Sequence, residues 1–210
     1  MVGKGPSIAP PSSALAFPEL MGRVAVLGGN AQVKTAFLVG LALRHIQKHG
    51  VVLCFDARHH QPLEVHFRLR FRHAQCHFLI SQTEFLPPTL AQMALSTVSR
   101  SLASRPPRPA PLLLLDGIQG SVDWERLIAF LLKSGATVVE TLRSPGTLPF
   151  GCYDTELLLQ EKTALADEIS RAVGRKVDPH ALADLAETEG ILLHRTQQYR
   201  VLLPLATTAE

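Results

Sequence analysis

Apolar residues arrive along this chain in short blocks, and the blocks follow two spacings. "RVAVLG" at 23–28 and "VVLCFDA" at 51–57 are continuous apolar runs of strand length. Such runs suit strands buried on both faces. Between them Phe37, Leu38, Leu41, Ala42 and Ile46 recur at helical spacing over 34–48, with Gly50 as a stop. Strand, loop, helix, strand is a βαβ unit, which implies parallel strands and a right-handed crossover. Further strands are predicted at 76–81, 112–116, 136–142 and 154–161. A helix is predicted over 86–104, with Leu90, Met93, Ala94, Val98 and Leu102 inward, and another over 122–135, closed by glycine. "LEVHFRLRFRH" at 63–73 fits both periods: Val65, Phe67, Leu69 and Phe71 alternate, while Leu63, Phe67 and Phe71 keep helical spacing. Residues 163–189 predict two helices broken near Gly174, the second capped by Asp178 with Pro179 in its first turn. The segment 191–205 reads as a hairpin closing the sheet. The expected fold is α/β: a mostly parallel twisted sheet flanked by helices, with a C-terminal β-hairpin.

Composition narrows the class. A chain of 210 residues suits one domain, and 46% apolar against 19% charged residues excludes a disordered protein. Residues 1–21 are rich in Pro and Ser and read as a flexible arm; 22–210 form the domain, with 163–189 as a small helical insertion. The net charge of +3 is compatible with a nucleic-acid partner without requiring one. Cys54, Cys76 and Cys152 are odd in number and form no CxxC pair, which points to a reducing compartment. No apolar run reaches membrane-spanning length, so no membrane partner is expected.

The first strand–helix turn carries the candidate chemistry. It reads Gly28, Gly29, Asn30, Ala31, Gln32, Val33, Lys34, Thr35. A phosphate-binding loop needs G-x-x-x-x-G-K-[ST] between a strand and a helix. In that register the helix N-terminus would face a phosphate. Lys34 would reach the β- and γ-phosphates, and Thr35 would hold Mg²⁺. Val33 stands where the second glycine lets the backbone open and approach the phosphate closely. A β-branched residue is the poorest candidate for positive φ. Val33 therefore predicts weakened or lost triphosphate binding; the alternative is an ordinary turn that ends in Lys-Thr by chance. "LLLLDG" ends in Asp116, the form of the acid that positions Mg²⁺ in P-loop proteins.

In order, these segments resemble the RecA/Rad-type recombinase superfamily over roughly residues 12–162. "GRVAVLGG" is similar to that family's lead-in to its phosphate loop, and "VVLCFDARHHQP" to its second-strand segment. "FLISQTEFLPPTLAQMALSTVSRSLAS" resembles the strand and long helix that precede the Walker B strand, for which "LLLLDG" stands. The resemblance implies a RecA-like P-loop core with ATP and Mg²⁺ as the candidate cofactor. It also exposes departures. Arg58 occupies the place of the glutamate that activates water, and a cation cannot act as a general base. Glu64 is nearby at the wrong spacing. The polar residue that senses the γ-phosphate is not evident, with Glu140 and Thr141 in its region. The segments that correspond to DNA-binding loops are short. A degenerate ATPase with no assigned catalytic residue follows. Such a protein would serve DNA repair, recombination or translesion (SOS) mutagenesis as an accessory. Its expected partners are a RecA-type recombinase, a Y-family-type polymerase subunit or a SWIM-domain-type protein, with DNA as a further one. It would be cytoplasmic or nucleoid-associated, or nuclear in a eukaryote. The alternatives are an active Mg-ATP-dependent repair ATPase completed by a partner subunit, and a RecA-fold signalling or clock-type ATPase relative.

Other features weigh less. Arg68, Arg70 and Arg72, interleaved with Phe, are the densest basic patch and the candidate DNA contact, with Arg100, Arg105 and Arg108 as extensions; the alternative is a solvated face. His59, His60, His66, His73 and His77, with Cys54 and Cys76, lack the recurring spacing of zinc sites, so no metal is expected. "HALADLAETEG" is acidic, which argues against a DNA-reading helix and for a partner surface. Trp124 reads as the anchor of its helix.

Overall fold

The computed structural model describes residues 15–56, 76–80, 109–117, 122–142 and 152–206, with 92–93, 95–96, 99–100 and 103 between them. The strands are β1 (Arg23–Leu27), β2 (Val52–Asp56), β3 (Cys76–Ile80), β4 (Leu112–Asp116), β5 (Thr137–Thr141), β6 (Thr155–Leu159), β7 (Glu189–His194) and β8 (Gln197–Leu202). They form one eight-stranded sheet in the order β3-β2-β4-β5-β1-β6-β7-β8. The strands from β3 across to β6 pair in parallel, and β7 and β8 add in antiparallel fashion. The helices are α1 (Ala31–Gln47), α2 (Val122–Lys133), α3 (Ala166–Ala172) and α4 (Pro179–Ala183), with a 3-10 turn at Thr163–Leu165. The predicted strands, the break at Gly174, the Asp178 cap and the hairpin are all present. The ambiguous stretch 63–73, Arg58, Glu64 and the arginines 68, 70 and 72 lie outside the described residues.

Successive strand residues face opposite sides of a sheet, so a continuous apolar run means cover on both faces. On one face Val24, Val26, Cys54, Leu114, Val139 and Leu157 meet Phe37, Leu38 and Leu41 of α1. On the other, Leu53, Phe55, Leu113 and Leu115 lie under Trp124, Leu127 and Ile128 of α2. Beside them Ala25, Leu27 and Leu158 lie under Ile169 of α3 and Leu182 of α4. The C-terminal tail crosses α1 from outside: Ala206 N–H donates to the Ala36 carbonyl at 3.1 Å. A Cβ at Gly40 would fall 1.4 Å from the Pro204 carbonyl oxygen, so that crossing requires glycine.

Three expectations need correction. The end of the expected arm is docked: Phe17 is buried and stacks edge-on against Phe37, and Leu15 bridges to Val201. Met93, expected to face inward, is exposed, while Leu95 packs against the α2 cluster; the other residues expected inward there, Leu90, Ala94, Val98 and Leu102, lie outside the described residues. At the end of α1 the left-handed residue is His49, with φ of 61°, and not Gly50. Gly50 instead makes room for the His45 ring, whose Nε2 would lie 2.2 Å from an added Cβ.

That packing has a pH consequence. His45 Nε2 is buried with no hydrogen-bond partner among the described residues. Burial, aided by nearby Lys48, holds the imidazole pKa below its ordinary value. The folded state then binds fewer protons than the unfolded one, and its stability falls as pH drops from about 6.5, the ordinary imidazole value, toward the lowered folded one. Thermal melts from pH 8 to pH 5 should show this loss, and His45→Gln should flatten the dependence in that window.

Candidate functional site

The turn from β1 to α1 is tighter than the phosphate-loop reading requires. Gly28 and Gly29 take positive φ, 72° and 67°, and a Cβ at either would come within 2.9 Å of Leu159. Gly29 N–H donates to the Gln160 carbonyl at 3.0 Å, which ties the loop to the end of β6. Asn30 then caps α1 in an extended conformation, and the helix begins at Ala31. The Asn30 side-chain oxygen accepts from Val33 N–H at 2.8 Å, and its carbonyl accepts from Lys34 N–H at 3.2 Å. An Asn cap is among the most favourable for a helix start.

Val33 is therefore helical. The difficulty anticipated at this residue, a positive φ in a β-branched side chain, does not arise because α1 starts three residues before Lys34. The cost falls elsewhere: the N–H groups at 29, 33 and 34 all have protein acceptors in this arrangement.

The charged residues cluster around the same turn. Lys34 is buried, and its Nζ donates to the Leu142 carbonyl at 2.8 Å, just past the end of β5. Asp116, at the end of β4, is fully buried and accepts a short hydrogen bond from Thr141 Oγ1. Thr141 Oγ1 in turn accepts from Gly117 N–H at 3.1 Å. Asp116 and Thr141 pair across β4 and β5, so this contact follows from strand register. Of the two residues in the γ-phosphate-sensing region, Thr141 belongs to the site. Glu140 points to the other face, where it binds Arg23.

That second cluster is an ion network that the sequence did not announce. Arg23 Nε donates to Glu140 Oε1 at 2.6 Å, and its two terminal nitrogens donate to the Glu125 carboxylate at 2.7 Å each. Its guanidinium carbon sits 4.7 Å from the Tyr153 ring centroid, and Tyr153 Oη donates to Glu140 at 3.0 Å. Burial alone would lower the Arg23 pKa, but the hydrogen bonds with Glu125 and Glu140 more than reverse it. Burial, with the Glu140 charge, pushes the Tyr153 hydroxyl up. A lone Arg in an apolar strand was the available signal; its carboxylate partners come from α2 and β5.

The residues fit the two parts of Mg-ATP unequally. Thr35 Oγ1 is buried and has no hydrogen-bond partner among the described residues, an orphaned hydroxyl of the kind a divalent ion would satisfy. Asp116, at the end of β4 two strands from β1, would offer the carboxylate that such an ion needs. A triphosphate would have to compete for donors already engaged, because Asn30, Gln160 and Leu142 accept from the N–H groups of Gly29, Val33 and Lys34 and from Lys34 Nζ. No group of three or more His, Cys, Asp or Glu poised for a metal occurs among the described residues. Of the basic extension only Arg100 is described; it is exposed and donates within its own helix to Ser96. No described helix is long and apolar enough to cross a membrane.

No protein-family model matches the chain, and neither does any curated sequence. Solved structures do match. The genome-packaging NTPase B204 of Sulfolobus turreted icosahedral virus 2, in complex with sulfate, superposes with a TM-score of 0.59 at 9% identity, over 87% of this chain and 97% of its own. Its complex with AMPPCP gives 0.59 at 10% identity, over 87% and 98%. B204 from Sulfolobus Turreted Icosahedral Virus, described as a DNA-packaging ATPase, gives 0.61 at 9% identity, over 86% and 96%. At such identity the likeness speaks for the fold and does not single out its recombinase branch: the chain has the fold of a P-loop NTPase.

Proposed function

We propose that the chain is an accessory subunit of a DNA transaction, in repair, recombination or translesion synthesis, that works through a protein partner and does not hydrolyse ATP. One observation carries the reading: the loop that should cradle phosphate is closed on itself by Asn30, Gln160 and Leu142. The DNA setting draws on the resemblance to recombinases and on the DNA-packaging role of a structural neighbour. Arg68, Arg70 and Arg72 are the candidate DNA contact within it. A recombinase, a polymerase subunit or a SWIM-domain-type protein is the class of partner.

Calorimetry with Mg-ATP tests the reading. The expected result is no saturable heat up to millimolar nucleotide and no phosphate release above background. Micromolar binding that disappears in Lys34→Ala would overturn it.

A second reading is favoured by the orphaned Thr35 hydroxyl together with the buried Asp116 carboxylate. There the chain is an Mg-ATP-dependent ATPase whose loop opens when a partner completes the site. ATP turnover that appears only with partner and DNA, and is lost in both Lys34→Ala and Asp116→Ala, would establish that reading over the first.

A further inference from the structure

The far edge of the sheet supplies an interaction surface of defined chemistry. β8 is the last strand of the described sheet, and its inner side pairs with β7. Leu15 touches its outer side through two bonds: Leu15 N–H donates to the Arg200 carbonyl at 2.9 Å, and Leu202 N–H donates to the Leu15 carbonyl at 2.8 Å. Backbone groups of alternate strand residues point the same way, so the N–H and C=O of Gln198 and the N–H of Arg200 face outward as well. Past Leu15 the chain leaves the edge, and Phe17 enters the core. Among the described residues nothing pairs with the stretch from Gln197 to Tyr199 on that side.

A groove of about 400 Å³ runs beside this open stretch. Its floor is Leu192, Tyr199 and Val201, and its wall is Leu15, Leu20 and Met21. Leu15 and Met21 are large, apolar and exposed, Met21 at 77%. The β7–β8 turn at the start of β8 adds an exposed cation, Arg195, beside His194.

We propose that β8 and this groove form a strand-addition site for an extended segment of a partner protein. The segment runs parallel to β8, as Leu15 does. It places large apolar side chains at alternate positions into the groove and a carboxylate near Arg195 at its N-terminal end. Open backbone donors and acceptors give such a site affinity, and a pocket for every second side chain gives it selectivity. An exposed apolar edge left uncovered is otherwise an aggregation hazard. The proposal deepens the accessory reading by naming where the partner binds, and it rests on that reading only for the existence of a partner.

A fluorescent peptide, Asp-Ser-Leu-Ser-Leu-Ser-Leu, tests it against the full chain, with a permuted peptide of the same composition whose leucines are adjacent. The alternating peptide should bind saturably and slow amide exchange at Gln198 and Arg200. Gln198→Pro removes an outward N–H without touching the β7 ladder, and Met21→Asp puts a charge on the exposed groove wall. Each variant, and the permuted peptide, should weaken binding about tenfold or more, with thermal melts unchanged. Equal binding of both peptides, or no protection at β8, would overturn the proposal. So would binding that appears only after residues 1–14 are deleted, which would make the chain's own N-terminus the occupant. A dimer that dissociates in Gln198→Pro would assign the edge to a second copy instead. If the peptide binds and Mg-ATP also binds through Lys34, the surface stands and the non-hydrolysing reading falls.

Discussion

Arg23→Met should destabilise the protein by about 3–5 kcal/mol, because it leaves the buried Glu140 carboxylate without its counter-charge. The side chains of Arg23 and Glu140 are 5% and 8% exposed, so water cannot substitute for the missing partner. For a domain of this size each kcal/mol lowers the melting temperature by about 2–4 °C. Two controls separate the causes. Glu125 is 43% exposed in the same network, so Glu125→Gln should cost about 1 kcal/mol or less. Arg23→Met combined with Glu140→Leu should recover much of the loss, since a buried ion pair replaced by well-packed apolar groups is often neutral. A single Arg23→Met variant as stable as the parent would show that the network contributes no net stability.

Trp124→Ala should cost a comparable amount, about 3–5 kcal/mol. The indole is fully buried and meets Phe55 edge-on, with ring centroids 4.9 Å apart. It joins α2 to β2 and β4 in one cluster, so its removal opens a cavity under the helix and loosens its docking. Phe130, on the same helix, is 47% exposed. Phe130→Ala should change stability by no more than about 0.5 kcal/mol. Denaturant unfolding of the two variants side by side distinguishes burial from helix propensity, because both replace an aromatic with the same good helix former. Similar losses in the two would sink the assignment of Trp124 as the anchor.

The elements were legible in the sequence because most strands are covered on both faces. Runs such as "LLLLD" and "RVAVL" contain little but apolar residues, which leaves few alternatives to a central strand. Asp178 and Pro179 marked the start of α4 because capping and ring geometry are local effects. The exposure of Met93, expected to face inward, has the opposite cause. Two residues apart on a helix, Met93 and Leu95 face nearly opposite ways, and packing against the α2 cluster selects Leu95.

The site divides along the same line. Sequence alone placed Gly28 to Thr35 at a strand–helix turn and flagged Val33 as a departure, since motif register is a matter of spacing. It could not say where α1 begins. That was settled by Asn30, whose side chain competes with a ligand for the Val33 amide in the first turn. Thr141 and Glu140 are neighbours in the chain, but they face opposite sides of β5: one holds Asp116, the other Arg23. Local chemistry and periodicity thus determined which segments are strands and helices and which turn could bind phosphate. Only the tertiary structure decided that this turn is closed, because the Gln160 and Leu142 carbonyls that close it lie more than a hundred residues away. Strand register brings them to the loop, and no local pattern encodes that.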